Sequence, residues 1–112
     1  MKKIEAIIRP EKMEELKEAL HNMDVNGITL SQVMGCGKQK GWKEYYRSAE
    51  VTLNVLPKVK FEMVVVDNDV EKIIDTIFKI VRTDEIGDGK IFIYPVEDAI
   101  RIRTGERGDK AI

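Results

Sequence analysis

The chain has 112 residues, 43% hydrophobic and 35% charged with only three prolines, a mixture too apolar for a disordered segment and too charged for a membrane span. Nineteen basic against twenty acidic residues leave a net charge of −1 and no global attraction to nucleic acid. One cysteine, Cys36, and one histidine, His21, exclude an internal disulfide framework and argue against a thiolate or histidine metal centre.

Residues 2–9 alternate as a strand, with Ile4, Ala6 and Ile8 on one face. The N-terminus enters this alternation at once, with no apolar signal block, so a cytoplasmic setting is expected. Pro10 suits the first turn of a helix, and Met13, Leu16, Leu20 and Met23 recur at helical spacing over 11–23. Asn26-Gly27 closes that unit, and residues 28–35 read as a second strand. Residues 35–50 then break the pattern with three glycines and many charges, and a loop of that length is usually functional or disordered.

Strand character resumes over 51–66, where Val59, Phe61, Met63 and Val65 alternate with Lys58, Lys60, Glu62 and Val64. Pro57 suggests an edge or a bend early in this strand. Asn68 and Glu71 resemble a capping box before a helix that carries Val70, Ile73, Ile74, Ile77 and Val81 on one stripe. A second irregular segment, about 82–90, leads into a strand over 90–96, and the tail over 97–112 alternates briefly before turning polar.

The order is β-α-β, long loop, β-α-β. It predicts an α+β, ferredoxin-like sandwich in a single domain over 1–112, with both helices on one sheet face. Ile7 and Val64 would lie on the other face without internal cover, so a homo-oligomer is expected.

Gly87-Asp88-Gly89-Lys90 could converge backbone N–H groups and a lysine on an anion, although alone it reads first as an ordinary turn. Gly35-Cys36-Gly37-Lys38-Gln39-Lys40-Gly41 is a second glycine-and-lysine segment, without a dinucleotide or P-loop fingerprint. Arg101 and Arg103, two apart in an extended segment, add planar forks suited to phosphate oxygens. Together the three elements favour a nucleotide site, in one neighbourhood or in a cleft between subunits. No nucleophile-base-acid set is evident: His21 reads as a surface or helix-end residue and Cys36 as a small half-buried one. Trp42, Tyr45, Tyr46, Lys43 and Arg47 suggest a docking loop, because aromatic and arginine side chains dominate interface hot spots.

The sequence closely resembles the PII nitrogen-regulatory signal proteins over almost its whole length. The strongest motif is Thr83-Asp84-Glu85-Ile86-Gly87-Asp88-Gly89-Lys90-Ile91-Phe92. The segments 35–41, Leu56-Pro57-Lys58-Val59-Lys60 and Arg101-Ile102-Arg103-Thr104-Gly105-Glu106 are further family-like stretches. The resemblance implies a homotrimer that binds ATP or ADP competitively between subunits, senses 2-oxoglutarate with Mg-ATP, and reshapes a T-loop, here about 37–55. It also implies a B-loop at about 82–90 and a C-terminal loop at about 101–112. By that likeness Gly37, Lys38, Gly87, Asp88, Gly89 and Lys90 hold phosphates with Arg101 and Arg103, Ile102 lies between the arginines, and Thr29 and Val64 line the adenine pocket. Gln39 would help coordinate Mg²⁺ and contact 2-oxoglutarate, and Lys58 would pair with a carboxylate of 2-oxoglutarate.

One departure stands out. The family's second loop tyrosine, which accepts uridylyl groups in many members, is Val51 here, so uridylylation at this position is not expected. Arg47 is retained, and in members that plug ammonium channels an arginine at this place enters the pore exit. The resemblance therefore implies an ammonium transporter, glutamine synthetase or another nitrogen-metabolism enzyme as partner, with a membrane reached only through a transporter. A nucleotide-only energy sensor is one alternative. An RNA-binding module is weaker, because the first strand offers Ile4, Ala6, Ile7 and Ile8 but no ring to stack on a base. An enzyme is not expected beyond slow incidental ATP hydrolysis.

Overall fold

Alternation builds the sheet. In β1 (Lys2–Ile8), Ile4, Ala6 and Ile8 are buried while Lys3, Glu5 and Ile7 are only half-buried, the pattern of a strand covered on one face. A computed structural model of the protein describes residues 1–36, 43–46, 49–52 and 55–112, the two middle stretches through their backbone. Strand β5 (Val55–Val65) buries Val59, Phe61, Met63 and Val65 on the same side as β1. With β2 (Thr29–Cys36) and β6 (Gly89–Pro95) these strands form an antiparallel sheet in the order β2-β5-β1-β6.

Helices α1 (Met13–Asn22) and α2 (Val70–Val81) cover that face. Leu16 and Leu20 of α1 and Val70, Ile73, Ile77 and Val81 of α2 join the strand residues in one core. Burial of each large side chain such as Phe61 or Ile73 contributes about 2 kcal/mol. The fold is the expected α+β ferredoxin-like arrangement.

Local differences from the sequence reading have local causes. Pro10 opens a 3₁₀ turn (Pro10–Lys12), and α1 follows it. The helix stops before Asn26-Gly27. Asp24 adopts φ +61°, Val25 N–H donates to Leu20 O at 3.0 Å and Asp24 N–H to His21 O at 3.0 Å, a Schellman closure with aspartate in the left-handed position. The Asn68–Glu71 capping box does not form. Asp67–Asp69 make a 3₁₀ turn without a side-chain cap; Asp67 is drawn instead to the Met1 amine at 2.9 Å, and Lys72 pairs with Asp69 at 3.0 Å.

Pro57 lies in β5 opposite Met34 of β2, beyond the end of β1 pairing at Val59, so β5 has a sheet neighbour on one side only there. The third strand begins at Val55, not at residue 51. Before it, β3 (Lys43–Tyr46) and β4 (Ala49–Thr52) pair antiparallel in the segment read as irregular loop. A search for core-facing periodicity passes over a hairpin that pairs with itself, even one holding two tyrosines, a valine and a threonine. Cys36, expected half-buried, is exposed at the end of β2, and His21 is exposed in the last turn of α1.

The uncovered sheet face carries Ile7 and Val64 as expected, both half-buried. Its centre is charged rather than apolar: Lys3 Nζ sits 3.0 Å from Glu62 and 3.7 Å from Glu5, and 5.3 Å from the centre of the Tyr94 ring.

Candidate functional site

The loop over 82–90 is held by its own aspartate. Asp88 Oδ2 accepts from Thr83 N–H at 2.7 Å and Asp84 N–H at 3.0 Å. Its Oδ1 accepts from the Thr83 hydroxyl and from Arg9 Nε at 3.4 Å. The Thr83 hydroxyl foremost, then the Thr83 backbone, Arg9 and the Asp84 backbone, hold this carboxyl at about 2, against an ordinary 3.8. The side chain is therefore spent inside the loop, and the group Asp88 can offer an anion is its backbone N–H.

Two cations turn the neighbouring peptides. Arg9 Nη2 donates to Ile86 O at 2.7 Å, and Lys58 Nζ donates to Gly87 O at 2.9 Å. In a trans peptide the N–H points opposite the carbonyl, so Gly87 N–H and Asp88 N–H face away from these cations. Among the described residues Gly87 N–H has no acceptor, while Asp88 N–H makes only the weak bond to Glu85 O that closes the turn at 86–87. Gly87 reaches φ +103°, and two successive donors in such a turn form a small anion-binding concavity.

Gly89 (φ +107°) presses against β1, where an added Cβ would stand 1.8 Å from Ile7 O. Lys90, paired with Ile7, supplies an exposed charge next to the concavity. Burial first, and then the like charge of Arg9, push Lys58 below the usual lysine range, against the pull of Glu11 and Asp88. A cation so placed gains from an arriving carboxylate or phosphate.

A cleft of about 480 Å³ runs beside the loop, between α2 and β6. Asp88, Gly89 and Lys90 line it with Ile77, Phe78 and Val81, whereas among the described residues the other expected nucleotide residues do not. Thr29 pairs with Glu62 and is exposed on the open face, and Val64 is the next position on that face of β5. Arg101, Ile102 and Arg103 follow β6 beyond Pro95. They lie in a turn closed by Arg101 N–H to Glu106 O at 2.9 Å and Gly105 N–H to Arg101 O at 2.7 Å, with Ile102 99% exposed.

The expected site therefore divides in two. Gly87–Lys90 and Lys58 stand at the end of the strands where Gly89 meets Ile8; Thr29 lies level with Glu5 and Glu62 at mid-sheet on the outer strand β2, and Val64 lies level with Lys3 toward the other end. Lys58 and Val64 are separated by about 20 Å at ~3.3 Å per residue. No hydrogen bond or ion pair joins residues 101–103 to the 82–90 loop among the described residues. Gly37, Lys38, Gln39, Trp42 and Arg47 lie outside the described residues, as do the side chains of Tyr45, Tyr46 and Val51. Among the described residues no group of three or more His, Cys, Asp or Glu side chains is gathered for a metal.

Sequence reasoning missed Arg9 and gave Thr83 no role of its own. The available signal for Arg9 was its place between a strand end and Pro10, which fixes an arginine in extended backbone (φ −65°, ψ 140°) beside whatever packs on that strand.

A family model described as Nitrogen regulatory protein P-II matches residues 1–106. A Nitrogen regulatory protein P-II of Rhodospirillum rubrum is 56% identical over 112 residues, covering 100% of both chains. Proteins of the same name from Azospirillum brasilense and Klebsiella oxytoca are 54% and 51% identical, again over 100% of both chains. The glycine-and-lysine loop after α2, the strand pairing that supports it and these end-to-end likenesses agree: the chain belongs to the nitrogen regulatory protein P-II family.

Proposed function

We propose that this protein senses ATP or ADP and, with Mg-ATP, 2-oxoglutarate, and controls partner proteins through its T-loop. The observation that carries the reading is the loop over 82–90, where an acceptor-free Gly87 N–H and the weakly held Asp88 N–H lie beside Lys58 and Lys90. Phosphates would meet Gly87, Asp88 and Gly89 through backbone, and Lys90 through charge, with Gly37 and Lys38 contributing from the other loop. Thr29, Val64, Arg101, Ile102 and Arg103 would come from a second copy, because in one chain Thr29 lies across the sheet on β2, Val64 lies farther along β5, and among the described residues no hydrogen bond or ion pair joins 101–103 to the loop. That division favours a homotrimer with nucleotide clefts between subunits.

Mg²⁺ would take its oxygens largely from phosphate, carboxylate and water, with Gln39 as the protein's contribution. Lys58 would meet a carboxylate of 2-oxoglutarate. Trp42, Tyr45, Tyr46 and Arg47 would face the partner, an ammonium transporter, glutamine synthetase or another nitrogen-metabolism enzyme. Regulation rather than turnover agrees with the names of the relatives. The cytoplasm is the setting such partners require, and no helix among the described residues is long and apolar enough to cross a membrane. Base stacking on RNA is disfavoured, because Glu5 and Glu62 occupy the central strands of the open face.

A second reading has one observation behind it. Lys58 already holds Gly87 O, which suits a lysine that supports the nucleotide loop and a sensor blind to 2-oxoglutarate. Titration calorimetry with ATP, then with 2-oxoglutarate in the presence and absence of Mg-ATP, separates the two. Heat from 2-oxoglutarate only when Mg-ATP is present supports the full sensor. ATP binding with no 2-oxoglutarate response selects the energy sensor, and no nucleotide binding overturns both.

A further inference from the structure

We infer that Arg9 is a positioning residue of the nucleotide loop: by gripping Ile86 O and the Asp88 carboxylate together, it sets the Gly87 N–H toward phosphate. The inference rests on the nucleotide reading and adds to it a residue that would not itself touch the ligand. Arg9 uses two different nitrogens, Nη2 on Ile86 O at 2.7 Å and Nε on Asp88 Oδ1 at 3.4 Å. A guanidinium presents donors in a rigid fork and can span both acceptors; an ammonium offers all its donors from one point. The side chains of Arg9 and Asp88 are 14% and 20% exposed, so water competes little for either partner.

The grip is built into the chain. Pro10 holds Arg9 extended at the end of β1, and Gly89 returns to the same strand so closely that no Cβ fits against Ile7 O. The loop is therefore pinned at Ile86 and Asp88 by Arg9, at Gly87 by Lys58 and at Gly89 by β1. Because Asp88 neutralises Arg9, Lys90 is the exposed cation the loop itself offers to phosphate. Removing the Arg9 fork would free the Ile86–Gly87 peptide to rotate and leave Asp88 a net negative charge beside the incoming phosphates.

Arg9→Met, Arg9→Lys and Asp88→Asn test this by calorimetry with ATP, inorganic tripolyphosphate and adenosine, alongside NMR titration of the Asp88 carboxyl. Arg9→Met and Arg9→Lys should each weaken ATP and tripolyphosphate about tenfold, leave adenosine within twofold and raise the Asp88 pKa from about 2. The Arg9→Met/Asp88→Asn double variant should be no weaker than the worse single one, as groups acting as a unit behave. Wild-type ATP affinity in Arg9→Lys, or proportional loss of adenosine and ATP, would overturn the positioning role. If Arg9→Met leaves ATP binding intact, only this inference falls; if the wild type binds neither ATP nor tripolyphosphate, the nucleotide reading falls with it.

Discussion

Gly89 and Asp88 make opposite demands on the same loop, one for empty space and one for charge. A Cβ at Gly89 would overlap Ile7 O, a backbone atom that cannot step aside, whereas Gly27 and Gly105 have positive φ but nothing within 4 Å. Gly89→Ala should cost about 3 kcal/mol, and Gly105→Ala about 1 kcal/mol, read from urea unfolding. Asp88 sets a pH window. Its folded pKa of about 2 lies below the ordinary 3.8, so its stabilisation is complete above the unfolded value and disappears as the folded group is protonated. Urea midpoints should fall from pH 4 toward pH 2 in the wild type, and less steeply in Asp88→Asn. Equal slopes would mean that other carboxylates, such as the Asp98 held low by Arg107, carry the acid sensitivity.

At the scale of elements, what could be read from the sequence was whatever faced the core. The Val70-Ile73-Ile77-Val81 stripe and the Val59-Phe61-Met63-Val65 alternation announce α2 and β5 because burial imposes their periods. Ile73→Ala should therefore cost about 3 kcal/mol through the cavity it leaves in the core. The hairpin over 43–52 obeys no such period, and the helix ends turn on hydrogen bonds between backbone groups. Asp24 shows the second case: no pattern marks it, yet it closes α1 in a conformation that glycine adopts more readily. Asp24→Gly should stabilise the fold by about 0.5–1 kcal/mol, seen as a higher melting temperature; a lower one would show that the aspartate side chain matters more than its backbone strain. The site divides along the same line. Gly87, Gly89 and Lys90 are legible because their residue types advertise an anion, while Arg9 acts on carbonyls that every residue has.

On the scale of the whole molecule, the sheet sets Thr29 and Val64 apart from the 82–90 loop, and the proposed cleft between chains would bring such residues together. The protein should accordingly sediment at about three times the 12.8 kDa of one chain. A mass of one chain, with ATP still bound, would show that the site needs no second copy. The charged centre of the open face, around Lys3, Glu5 and Glu62, makes such assembly sensitive to salt.

A cleft shared between two chains, as proposed, would also permit rescue between damaged copies. In a head-to-tail ring of three, a Lys90→Ala chain still offers sound arginines, and an Arg103→Ala chain still offers a sound loop. Neither variant alone forms a complete cleft. Unfolded together and refolded as a mixture, every ring containing both kinds would hold one intact cleft, whichever variant is in the majority. Nucleotide binding would thus reappear from two inactive parents, with a stoichiometry that counts the mixed rings.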